Sequence, residues 1–76
     1  MPRLTPIDYR KLVKVFEKEG FVHIRTKGDH LVYQKMGLLR PVIIPKYKYV
    51  PEFIILKNLK TAGISREEYL QLLQEI

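Results

Sequence analysis

The sequence predicts an α+β domain in which a leading helix is followed by three antiparallel strands and two closing helices. Three observations carry that reading. Apolar residues recur with helical period at both ends of the chain, while the middle holds short β-branched and aromatic runs. Glycine or proline stands at nearly every change of pattern. The gaps between the middle runs are too short for crossover helices, so those runs pair antiparallel. A three-stranded sheet needs one face covered, and amphipathic helices packed on that face provide the cover. With 76 residues, 46% of them hydrophobic, the expectation is one small domain over residues 1–76.

The first helix reads from Thr5 as its cap, with Pro6 at the first helical position and Asp8 three residues after Thr5. Tyr9, Leu12, Val13 and Phe16 form its apolar stripe, and Gly20 ends it. A strand runs from Phe21 to Lys27, Gly28-Asp29 makes a turn, and a second strand runs from His30 to about Met36. After Gly37, Arg40 to Ile44 form a third strand ending at Pro45, and Pro41 near its start argues for an edge position. Lys46 to Val50 is a basic, tyrosine-bearing loop. Pro51 opens a second helix whose apolar face reads as Phe53, Ile54, Leu56, Leu59 and Ala62, closed by Gly63. Ser65 and Glu68 make a capping box for a last helix carrying Tyr69, Leu70, Leu72, Leu73 and Ile76.

Composition removes several kinds of chemistry. With no cysteine there is no disulfide framework, no thiol nucleophile and no thiolate zinc site. The one serine, Ser65, sits in a capping signature rather than in a nucleophile motif. The glycines form no phosphate-cradling loop, so no nucleotide or other small-molecule cofactor is expected. His23 and His30 lie seven apart on different strands, and no third ligand shares a helical or hairpin spacing with them, so no metal site is expected. The apolar runs fall far short of the roughly 20 residues a membrane helix needs. The opening segment Met1-Pro2-Arg3-Leu4-Thr5-Pro6 has no apolar core of a signal peptide. A soluble, cytoplasmic protein with no membrane partner is expected.

The formal charge is +6 and the isoelectric point is about 9.7. The charge is concentrated between His23 and Lys48. There Arg25, Lys27, Lys35, Arg40, Lys46 and Lys48 face a single acid, Asp29. Such a segment suits a polyanion, and it equally suits a solvated, solubilising face. Histidine, tyrosines and cations together fit a reaction whose nucleophile belongs to the substrate. RNA brings such a nucleophile in its 2′-hydroxyl, which DNA lacks. An imidazole can take that proton or protonate the 5′-leaving oxygen, and cations can stabilise the developing phosphorane charge. His30 is the candidate, set just after the Gly28-Asp29 turn with Arg25 and Lys27 upstream and Asp29 adjacent to tune it. Arg25, Lys27, Lys46 and Lys48, the last two in the loop after the third strand, are the candidates for RNA binding. An ordinary surface histidine at a strand start fits the same pattern. His23, in mid-strand, reads as structural or solvated. Tyr33 reads as packing, whereas Tyr47 and Tyr49 alternate with lysines and fit either packing or base stacking.

Taken together, several of these stretches resemble one family. A short helix, then Gly20-Phe21, Arg25 and Gly28-Asp29-His30 before a strand bearing Tyr33, is similar to the first half of the HicA toxins, the YcfA-like mRNA interferases of type II toxin–antitoxin systems. Ile44-Pro45 before a basic loop, Pro51, a helix with Leu56 and Leu59, and Ala62-Gly63-Ile64-Ser65 with Glu67-Glu68-Tyr69-Leu70 resemble the second half. The resemblance runs from about Tyr9 to Leu73. It implies a double-stranded-RNA-binding-domain-like fold and metal-independent endonucleolytic cleavage of mRNA. It implies that His30, the histidine of the glycine-x-histidine motif, is catalytic, and that a HicB-like antitoxin is the partner in bacterial or archaeal growth control. The family's usual residue between the glycine and the histidine is serine, where this chain has Asp29. The family's loop histidine and Gly-Thr pair are replaced here by Lys46-Tyr47-Lys48-Tyr49-Val50-Pro51-Glu52-Phe53. Two other readings stay open at this level. One is a non-catalytic RNA-binding module of the same fold, and the other is a protein-interaction domain that docks an acidic partner.

Overall fold

Asp8, rather than Thr5, caps the first helix. The computed structural model describes residues 4–76, so Met1, Pro2 and Arg3 of the opening segment lie outside the described residues. Helix α1 spans Tyr9–Lys18, and the Asp8 carboxylate accepts from the Arg10 amide at 2.9 Å. The helix cannot begin at Pro6 because Ile7 is held in extended backbone. Its amide donates to the Val50 carbonyl at 3.3 Å, and the Val50 amide donates back at 2.7 Å. The far end of α1 follows the sequence. The Gly20 amide donates to the Glu17 carbonyl and the Phe21 amide to the Phe16 carbonyl, each at 3.0 Å. That wrap needs a left-handed residue, and Gly20 supplies it at φ +93°. The Phe16 and Phe21 rings then meet edge to face at 5.3 Å.

Strands β1 (Val22–Lys27), β2 (His30–Gln34) and β3 (Val42–Pro45) form an antiparallel sheet in the order β1-β2-β3. Strands β1 and β3 begin slightly inside the stretches the sequence suggests, β2 ends slightly inside its own, and β3 is an edge strand, as Pro41 implies. Residues paired across an antiparallel ladder share a face. Leu31 with Ile44 and Tyr33 with Val42 therefore face the core, while His30 with Pro45 and Val32 with Ile43 face away from it.

Helix α2 spans Glu52–Ala62 and ends at Gly63, in left-handed conformation at φ +73°. Helix α3 spans Arg66–Glu75 and starts in the capping box of Ser65 and Glu68. The order is thus α-β-β-β-α-α, an α+β fold consistent with a double-stranded-RNA-binding-domain-like arrangement. Helices α1 and α2 pack against β3, and α3 packs against α1. Leu12, Val15 and Phe16 meet Val42 and Ile44 of the sheet and Ile55, Leu59, Tyr69 and Leu72 of the later helices in one core.

The phase of α2 differs from the sequence reading. Ile55 is fully buried, and Phe53, expected on the apolar face, is 72% exposed. The buried stripe is Ile55, Asn58 and Leu59. A polar residue on the core stripe shifts the apparent hydrophobic face, because periodicity treats Asn58 as a surface position. In α3, Tyr69 and Leu72 are buried and Leu70 is exposed, as is Ile76 just beyond the helix end.

Candidate functional site

The β1–β2 connection is a two-residue hairpin loop with Gly28 at its first position at φ +60°, where a side chain would strain the backbone. The tight turn sets Lys27 directly opposite His30. Both sit on the helix-free face of the sheet, as does Arg25 opposite Val32. Arg25 and Lys27 share that face by ordinary two-residue alternation. A bulge between His23 and Arg25 breaks the alternation upstream and puts His23 on the other face, opposite Tyr33, where its Nε2 meets the Thr26 Oγ1 at 2.8 Å. The His23 ring lies edge-on to Tyr33 at 5.4 Å. Burial pushes the Tyr33 phenol above its ordinary pKa, with the Glu17 carboxylate adding to the shift. Tyr33 packs in the core.

The basic loop is strapped down at several points. The Lys46 amide donates to the Asp29 carbonyl at 2.7 Å, continuing the ladder one step past His30 and Pro45. The Tyr9 amide donates to the Tyr47 carbonyl at 3.1 Å, and Val50 is paired with Ile7. The N-terminal segment thus fixes the loop, and the loop fixes the hairpin tip beside it. The His30 side chain is 47% exposed, and its Nδ1 lies 3.2 Å from the Asp29 carboxylate. A carboxylate against Nδ1 favours a proton on that nitrogen and leaves Nε2 as the one to exchange protons with a ligand.

His30 also lines a groove of about 500 Å³. Its floor is Ile43 and Pro45 of the outer sheet face, continued by Tyr47. Its wall is the α2 stripe Phe53, Ile54, Lys57 and Thr61, and Arg40 and Pro41 close the end. Helix α2 forms this wall because Asn58 anchors it to the free edge of β3. Its Nδ2 donates to the Ile43 carbonyl at 2.9 Å, and its Oδ1 accepts from the Ile43 amide at 3.4 Å.

The structure therefore groups the sequence candidates unevenly. Arg25, Lys27 and His30 share a sheet face, and Lys46 abuts Asp29 through its backbone. Lys48 borders a different concavity with Lys11 and Asp8, its ammonium 5.8 Å from the Tyr49 ring centre. Arg40, Lys57 and Phe53, which sequence reasoning did not place at the site, line the groove with His30. The signal for Phe53 and Lys57 was their helical spacing with Thr61, a mixed stripe beside the buried one, whereas Arg40 enters the groove from the connection before β3.

Residues 9–64 match the family model described as HicA toxin of bacterial toxin-antitoxin. The chain belongs to the HicA toxin family. The match takes in α1, the sheet and α2, and ends one residue before the cap of α3. No curated protein matches the chain. HicA toxins pair with antitoxins and act on RNA. Among the described residues no helix is long and apolar enough to cross a membrane. Among the same residues no three His, Asp or Glu side chains gather closely enough to hold a metal ion.

Proposed function

We propose that the chain is the toxin of a type II toxin–antitoxin pair, an endoribonuclease that cleaves mRNA in the cytoplasm with His30 as general acid or base and without a metal. Its protein partner is a HicB-like antitoxin. The observation that supports this reading most is the setting of His30. Its ring is half exposed at the mouth of a groove, its Nδ1 is against Asp29, and Lys27 stands opposite it across the hairpin.

In the proposed reaction the 2′-oxygen of one ribose attacks the adjacent phosphorus. A P–O2′ bond forms as the P–O5′ bond breaks. Nε2 of His30 takes the 2′-hydroxyl proton or delivers one to the departing 5′-oxygen, leaving a 2′,3′-cyclic phosphate and a 5′-hydroxyl. Lys27 and Arg25 share the face of His30, and Lys46 lies at the strand exit beside it, so these three serve the phosphate. Lys48 lies around the corner of the loop and serves a more distant part of the strand.

Cleavage of mRNA by wild type and His30→Ala tests the reading. The substitution is expected to slow cleavage by about 10²- to 10⁴-fold and to leave the melting temperature unchanged. Activity should survive a chelator, and affinity should fall steeply with salt as counterions are released. An alanine variant that cuts at the wild-type rate overturns the role of His30. RNA binding with no cleavage by the wild-type protein overturns the enzyme and leaves a binding module.

A further inference from the structure

The groove is unusual in joining exposed aromatic side chains to unpaired cations. Phe53 is 72% exposed and Tyr47 43%, yet both border the concavity rather than open surface. Between them lie Ile43, Pro45 and Ile54, so the interior is apolar. At the far end stand Arg40 and Lys57, neither ion-paired among the described residues, and no carboxylate lines the groove. Apolar walls with a cationic rim suit a ligand with flat apolar faces and negative charge. Its volume falls within the roughly 300–1,000 Å³ of small-ligand sites, enough for a nucleotide unit and far too small for a duplex.

Resting on the ribonuclease reading, we propose that this groove seats one unpaired nucleotide of the RNA strand next to the cleaved bond. Its base stacks on Phe53 and Tyr47, and Arg40 and Lys57 hold its phosphates. Of the groove's other polar side chains, His30 is assigned to proton transfer, and Asn58 and Thr61 are engaged within the protein. Asn58 uses both amide atoms on the Ile43 peptide, and the Thr61 hydroxyl donates to the Lys57 carbonyl at 3.1 Å. Little remains to read the edge of a base, so selection rests on stacking, which every base offers and purines offer best. The enzyme therefore cuts single-stranded segments with weak sequence preference, although its fold resembles a duplex binder.

A short single-stranded 2′-O-methyl oligonucleotide carrying one 2-aminopurine tests this without depending on catalysis, because it has no free 2′-hydroxyl to attack. Binding to the wild-type protein is expected to quench the 2-aminopurine. Phe53→Ala and Tyr47→Ala should each weaken binding by about 5- to 100-fold, the usual range for one stacked base. Lys57→Ala should weaken binding while keeping the quench in the bound state. Phe53 is exposed, so its variant should melt with the wild type and report on binding alone. Binding without quenching overturns the inference, as do aromatic variants that bind like wild type or a duplex that competes equally with the single strand. Loss of antitoxin binding alone in Phe53→Ala assigns the groove to a protein and also overturns it. Quenched binding with no cleavage of ordinary RNA sinks only the ribonuclease reading.

Discussion

Asn58 grips the Ile43 peptide on both sides, its Nδ2 donating to the carbonyl at 2.9 Å and its Oδ1 accepting from the amide at 3.4 Å. In an antiparallel strand the amide and carbonyl of one residue point the same way, so Ile43 presents both groups outward from β3. The side-chain amide fills the place of a fourth strand. It caps an edge that would otherwise be open to another chain, and it joins α2 to the sheet so that a groove lies between them.

Asn58→Ala is therefore expected to cost about 2–3 kcal/mol, because it removes two hydrogen bonds and strands both Ile43 groups. Urea unfolding measures the loss. The same variant should bind RNA more weakly under conditions where it is still folded, since the groove wall is no longer held.

Replacing Asp29 by Asn tests what the carboxylate does. The contact with His30 is between side chains 47% and 70% exposed, and such pairs are worth about 1 kcal/mol or less. Asp29→Asn should slow cleavage by less than about fivefold while tightening RNA binding, because a negative charge beside the phosphate path is gone. Single-turnover rates and binding constants, measured separately, distinguish the two effects.

Acid should loosen the start of α1 late. The Arg10 guanidinium, hydrogen-bonded to Asp8 at 2.9 and 3.0 Å, is the main cause that holds the Asp8 carboxyl down at about 2, and the Arg10 amide adds to it. A carboxylate whose pKa is lowered by folding stabilises the folded state above its unfolded pKa. That contribution is lost as pH falls through the folded one. The stability gap between wild type and Asp8→Asn should thus be full at neutral pH and narrow between about pH 4 and pH 2. Thermal melts across that range measure it.

Tyr69 carries the opposite kind of group. Its ring is in the core, its hydroxyl is buried with no hydrogen-bond partner among the described residues, and burial pushes its pKa up to about 12. Tyr69→Phe keeps the ring and removes the desolvated oxygen, so it should raise stability by about 1 kcal/mol. A melting temperature that falls would show that the hydroxyl has a partner in solution.

The sequence by itself determined the features built from neighbours along the chain. The turn at Gly28-Asp29, the helix end at Gly20 and the capping box at Ser65 each close within a few residues, so residue type decides them. The order of elements, the edge position of β3 and the placing of His30 at the hairpin tip follow from those signals. Tertiary structure decided the rest. The start of α1 depends on Ile7 meeting Val50, and the Leu4 amide reaches the Glu52 carboxylate 48 residues away. The phase of α2, and with it the groove that unites His30, Tyr47, Phe53, Arg40 and Lys57, depends on Asn58 finding Ile43 across 15 residues. An asparagine on a helix looks the same in sequence whether water or a sheet edge satisfies its amide, and only the packed chain settles which one does.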